Sequence, residues 1–181
     1  MKHIIHIFQR YKYLYLFVLV LFISTISKGQ QYFFKTFTIE EGLPHNTVWS
    51  IAQDKKGQIW IGTDGGGASC FNSKTFTNYN TSNGLSGNIV RSVFCDSKGN
   101  MWFGTDKGIT FYNGHRFKTI TKKNGFTGVT ALKFIEDHNH DIWVASSEGG
   151  IFKIKQVNQD SVKIILNINR DKGLSTDLVF D

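Results

Sequence analysis

Asp137-His138-Asn139-His140-Asp141 places two imidazoles and two carboxylates within five residues, a donor set suited to a divalent metal. His45 and His115 are the other histidines beyond residue 6 that could serve as acid, base or ligand. The sequence contains no Gly-x-Ser-x-Gly elbow, His-Glu-x-x-His helix or Walker loop, so no nucleophile, zinc or phosphate chemistry is signalled. The metal-like cluster weakens when set beside the rest of the chain. Asp137 occupies the place held by Asp54 and Asp96 in two related segments, where an aspartate opens a turn. The cluster is therefore read as a solvated hairpin tip, and no catalytic residue, metal or cofactor is expected.

Those related segments organise the whole chain. Asp54-Lys-Lys-Gly57-Gln-Ile-Trp60-Ile-Gly62-Thr63-Asp64 returns as Asp96-Ser-Lys-Gly99-Asn-Met-Trp102-Phe-Gly104-Thr105-Asp106, and in altered form as Asp137 to Ser147 around Trp143. Each copy opens twelve residues ahead of its aspartate on a glycine and a hydrophobe: Gly42-Leu43, Gly84-Leu85 and Gly125-Phe126. A period near 42 with one tryptophan per copy predicts an all-β fold of β-propeller blades, at 42–83, 84–124 and 125–172. A fourth opening at Gly173-Leu174 predicts the first strand of a further blade over 173–181, hence an incomplete propeller at the front of a longer protein. A product of a broken gene is the other reading of that ending.

Four short strands are expected per blade. The first spans Val48–Gln53, Val90–Cys95 and Ala131–Glu136; the second carries the tryptophan; glycines at 66, 67, 108, 149 and 150 turn into the third. The fourth is Phe76–Tyr79, Phe117–Ile120 and, after a polar link from Gln156 to Asp160, Val162–Ile168. His140 stands where Gly57 and Gly99 supply positive φ, so the third turn is either strained or differently built. Trp60, Trp102 and Trp143 are assigned to packing between blades, each with an indole N–H that needs a partner. Cys70 and Cys95 fall in unrelated columns of the repeat, which argues for separate thiols rather than a bridge.

Residues 1–29 read as a secretory signal peptide: Lys2, Arg10 and Lys12, an apolar run from Tyr13 to Ile23, then Ser27-Lys28-Gly29. An uncleaved signal anchor is the rival, and both put the remainder outside the cytoplasm. These residues hold four of the 21 basic side chains and no acid. The rest carries 17 basic and 14 acidic groups, a net of +3, without the clustered basic face of a nucleic-acid binder.

The pattern Asp-x-x-Gly-x-(Ile/Met)-Trp-(Ile/Phe)-Gly-Thr-Asp, with Gly-Leu-(Pro/Ser)-x-Asn-x-Val, resembles the two-component regulator propeller repeat over residues 32 to 181. The third copy departs at His140, Ala145 and Ser146. The resemblance implies the periplasmic sensor of a hybrid histidine kinase, with an oligosaccharide ligand. Its partners would be the remaining blades and the kinase part of the parent receptor, and it admits a homodimer of that receptor. Ligand contacts are then expected from loops on one rim, those before strand one and between strands two and three. They offer His45, Asn46, Asn88, Asp64, Asp106, Lys107 and Glu148 as candidates, and Asn46 and Asn88 have an alternative as turn caps. Streptogramin-inactivating lyases, with a similar Asp-x-x-Gly-x-x-Trp core, are the enzymatic alternative. They need a closed ring and channel groups that three blades lack.

Overall fold

The computed structural model describes residues 11, 12, 14, 16–18 and 32–180, in two units, Met1–Thr36 and Phe37–Asp181. In the first, the described residues from Tyr11 to Val18 are helical and Tyr32 to Thr36 have no regular structure. No helix among the described residues is long and apolar enough to cross a membrane. The signal-peptide cleavage site, Lys2 and Arg10 lie outside the described residues, as does Asp181.

The second unit is three antiparallel four-stranded sheets, each ordered as its strands run in the chain: an incomplete propeller. The first blade is β1 (Val48–Gln53), β2 (Ile59–Thr63), β3 (Ala68–Phe71) and β4 (Phe76–Tyr79). The second is β5 (Val90–Cys95), β6 (Met101–Thr105), β7 (Gly108–Tyr112) and β8 (Phe117–Ile120). The third is β9 (Ala131–Glu136), β10 (Ile142–Ser146), β11 (Ile151–Asn158) and β12 (Ser161–Ile168). Each first strand packs on the first two strands of the blade before it, so β5 lies on β1 and β2 and β9 on β5 and β6. Two apolar cores fill the two joints, around Trp60, Leu85 and Phe103, and around Trp102, Phe126 and Phe152.

The recurring segment is one repeated joint. The aspartate's Oδ1 accepts the backbone N–H groups two and four residues on, at 2.8 and 2.9 Å for Asp54 and 3.0 and 2.8 Å for Asp96. Its Oδ2 accepts the indole N–H, at 2.9 Å for Trp60, Trp102 and Trp143 alike, through Asp54, Asp96 and Asp137. A single carboxylate thus closes the turn and fixes the ring that fills the core. The glycine two residues after the tryptophan makes room for the next blade. A Cβ on Gly62 would stand 2.8 Å from Val90 O, and one on Gly104 would stand 2.2 Å from both Ala131 O and Ser92 Oγ. The threonine that follows holds the next loop: Thr63 Oγ1 donates to Gly67 O at 2.7 Å, as Ser146 Oγ does to Gly150 O at 2.8 Å.

Gly104→Ala is accordingly expected to destabilise by about 1–3 kcal/mol, because backbone atoms of β9 cannot rotate out of the way. Gly62→Ala should cost less. Chemical denaturation of the two variants side by side checks this order.

The third blade keeps the joint and alters its neighbours. His140 has φ of 62°, and its turn closes with the same bonds as the glycine versions, so it is the strained version of the turn. Its ring also meets Glu136 at 2.9 Å and Ser97 of the second blade at 2.9 Å. Asp141, where the second blade has Asn100, adds a second carboxylate beside Asp137. Lys153 answers both, at 2.9 and 3.0 Å, in the column held by Cys70 and Phe111.

The Trp143 indole and then the Lys153 ammonium hold the Asp137 carboxyl well below its ordinary 3.8. A depressed folded-state value means stabilisation that is complete above the unfolded value and lost as pH falls beneath it. Trp143→Phe should therefore lower stability most at neutral pH, with the gap to the parent narrowing from about pH 4 down to about pH 2. Urea midpoints measured across that range test it.

Two features correct or complete the sequence reading. The expected polar link from Gln156 to Asp160 is largely strand: β11 runs on to Asn158, and Gln159-Asp160 is a two-residue hairpin turn. In addition, a 3-10 turn precedes each lead-in: Ile39–Glu41, Thr81–Asn83, Lys122–Asn124 and Arg170–Lys172. Each ends on the opening glycine in the left-handed region, with φ of 107°, 112°, 92° and 100°. That conformation is the physical reason for the glycine; the hydrophobe behind it (Leu43, Leu85, Phe126) is buried. Cys70 and Cys95 are both free thiols, the first buried and the second half-buried.

Candidate functional site

The lead-in loops and the β2–β3, β6–β7 and β10–β11 loops lie at the same end of the sheets. Backbone bonds tie the two loops of each blade together, and tie the first blade to the second lead-in and the third blade to the fourth. Asp64 N, Asp106 N and Ser147 N donate to Thr47 O, Ile89 O and Thr130 O of their own blades at 3.1, 3.1 and 2.9 Å. Gly67 N donates to Asn88 O of the second lead-in at 2.8 Å, and Gly150 N to Asp177 O at 2.9 Å.

The rim candidates separate by what their side chains already do. Asn46 Oδ1 accepts Ile39 N at 3.0 Å and Asn88 Oδ1 accepts Thr81 N at 2.9 Å, each capping the 3-10 turn behind it; Asp177 does the same for Arg170. His45 Nδ1 accepts Thr47 N at 3.0 Å. Lys107 and Glu148 are exposed, and Asp64 is half-buried with its carboxylate making no hydrogen bond among the described residues. Asp106 differs from all of these. Its Oδ1 is buried without a donor, in the space a Cβ on Gly87 would need. A buried carboxylate oxygen left unpaired is costly and calls for an explanation.

Two residues on this rim escape sequence reasoning. Trp49 is the second residue of β1, half exposed at 47%, and the Arg91 guanidinium sits 3.9 Å above its ring. Both occupy a bulge, since the pairing of β1 with β2 skips Trp49 and that of β5 with β6 skips Arg91. The available signal was position: of four tryptophans, Trp49 alone stands off the Asp–Trp column, with Arg91 and Leu132 as its counterparts. A tryptophan that does not recur is not explained by the repeat. Trp60 and Trp102, which do recur, are buried in the joints, and Trp143 is partly covered.

Residues 42–65 and 84–107 match the family model for the two component regulator propeller. Over 57 residues the chain is 40% identical to histidine kinase P4 of Formosa agariphila, which spans 32% of this chain and 4% of that protein. In the crystal structure of the extracellular domain of a protein described as a hybrid two component system from B. thetaiotaomicron, 83% of this chain superposes on 20% of that one. The TM-score is 0.70 at 23% identity. A second extracellular domain from the same organism, described as a one component system, gives a TM-score of 0.55 at 26% identity, covering 68% of this chain and 19% of that one. Virginiamycin B lyase from Staphylococcus aureus shares the fold at 21% identity and a TM-score of 0.52, over 65% of this chain and 40% of the lyase. The chain thus spans a small part of the relatives it matches. With the matched segments, the thrice-repeated Asp–Trp joint and the shared fold together, the chain carries repeats of the two-component regulator propeller family.

Proposed function

We propose that the chain forms part of an extracytoplasmic, ligand-sensing β-propeller of a hybrid two-component receptor, exported by residues 1–29 to the periplasm. Its ligand on this reading is an oligosaccharide, its partners are further blades and a kinase part, and the histidine kinase activity lies elsewhere in the receptor. The observation that carries the ligand assignment is Trp49 with Arg91. A half-exposed indole, stiffened from one side by a guanidinium, offers its other face to the C–H surface of a sugar ring, while free N–H groups of Arg91 reach ring oxygens. Asp64, Asp106, Lys107 and Glu148 supply polar groups on the same rim. In this assignment Asn46 and Asn88 hold the loops in shape, and His45 lines the first of them.

The test is calorimetric titration of the 181-residue chain with a panel of neutral and acidic oligosaccharides. At least one should bind, and Trp49→Ala should weaken it about tenfold, or ~1.4 kcal/mol. A panel that gives no binding, or an affinity indifferent to Trp49, rejects the assignment.

A further inference from the structure

The opposite rim carries a cleft that the sensor reading leaves unused. It lies between the first and second blades, with a volume of about 380 Å³, under the β1–β2 and β5–β6 turns and the β3–β4 and β7–β8 turns. Its floor is aromatic: Trp60 and Tyr79 stack at 5.4 Å, with Tyr112 at 5.7 Å from Trp60. Its walls carry three ammonium groups, on Lys55, Lys56 and Lys98, against one carboxylate, on Asp54. That carboxylate is already spent, since its oxygens accept Lys56 N, Gln58 N and the Trp60 indole. Burial pushes the Cys70 thiol up to about 11, so it adds no negative charge.

Lys55 Nζ already donates to Ser97 O and Lys98 Nζ to Gln156 Oε1, which leaves each ammonium two further N–H groups. Among the described residues, Lys56 Nζ, Asn72 Nδ2 and the Tyr79 hydroxyl have no hydrogen-bond partner, although Asn72 Oδ1 is fully occupied by Lys74 N, Thr75 N and the Thr75 hydroxyl. The neighbouring cleft, between the second and third blades, shares Lys98 and is otherwise lined by amides and Val157, so Lys55 and Lys56 are what make the positive excess particular to the first joint. A cavity at the lower end of small-ligand size, with a ring-lined floor and a net positive mouth, selects for charge and for a flat body together.

We infer that this cleft binds a small organic oxyanion, a carboxylate or sulfate ester carried on a single sugar-sized ring, with the charge at Lys56 and Lys98 and the ring over Tyr79 and Tyr112.

Calorimetry or ligand-observed NMR on the 181-residue chain tests it with glucuronate, glucose 6-sulfate, glucose and inorganic sulfate. One or both charged sugars should bind at least tenfold more tightly than glucose and than inorganic sulfate, more weakly at high salt. Lys56→Gln combined with Lys98→Gln should lose at least tenfold of that affinity with an unchanged melting temperature. Equal binding of glucose would show that charge is not read, and equal binding of inorganic sulfate would show that the ring is not; either overturns the inference. So does an absence of binding, or binding that survives the double substitution. Should that double variant fail to fold, Asn72→Ala, at the cleft wall, must show the same loss.

Discussion

Trp102→Ala is expected to destabilise the propeller unit by about 3–5 kcal/mol, enough to lower its melting temperature by roughly 10–15 °C. The ring is 1% exposed, meets Phe111 edge-on at 4.9 Å, and sits where β9 of the third blade closes over the second. Removing it opens a cavity at a joint that has few ways to collapse, since Gly104 already brings the two backbones together. The same substitution at Trp143 should cost less, because that ring is only partly buried and has lysine rather than a facing blade above it. Thermal unfolding of both variants gives the comparison.

Asp96→Ala should cost nearly as much, about 3–4 kcal/mol, although it deletes only a small side chain. Asp96 is 5% exposed and accepts four hydrogen bonds: Lys98 N, Asn100 N, Asn100 Nδ2 and the Trp102 indole. Alanine leaves the last three of these donors unpaired in buried surroundings, and each unmet buried donor carries its own desolvation cost. Asp54→Ala should be milder, since the turn it closes is more open to water. Urea unfolding at neutral pH separates the two.

The fold was legible because the repeat repeats its causes. Glycines forced to positive φ, a turn-opening aspartate and an alternating apolar strand recur in register, so strand bounds such as Val48–Gln53 and Phe117–Ile120 follow directly. The 3-10 turns were not legible. They are three residues long and have no apolar period; their local capping pairs, Thr38 with Glu41, Asn80 with Asn83 and Thr121 with Asn124, are short patterns with no apolar run behind them, and the first two turns are also held by Asn46 and Asn88 seven residues downstream. The extended β11–β12 hairpin was hidden by polar residues that read as a link; two-sided solvent exposure leaves such strands without an alternating pattern. The site was less legible than the scaffold for a related reason. A periodic signal reports what every blade needs, whereas Trp49 and Arg91 enter the proposed site through being unlike their counterparts, and their stacking depends on bulges that only the strand pairing reveals. The cleft at Lys56 likewise draws on four turns from two blades, which no local window of sequence contains.

The recurring aspartate and tryptophan act as a single joint, so the repeat is scaffold, and under the proposed function recognition belongs to residues that do not recur. A double-mutant cycle between Asp96→Ala and Trp102→Phe measures that joint directly, since phenylalanine keeps most of the ring and removes the N–H. A single joint requires a coupling of about 1.5–3 kcal/mol, the value of a buried hydrogen bond to a charged group. Additive effects, with a coupling within about 0.5 kcal/mol of zero, would contradict it.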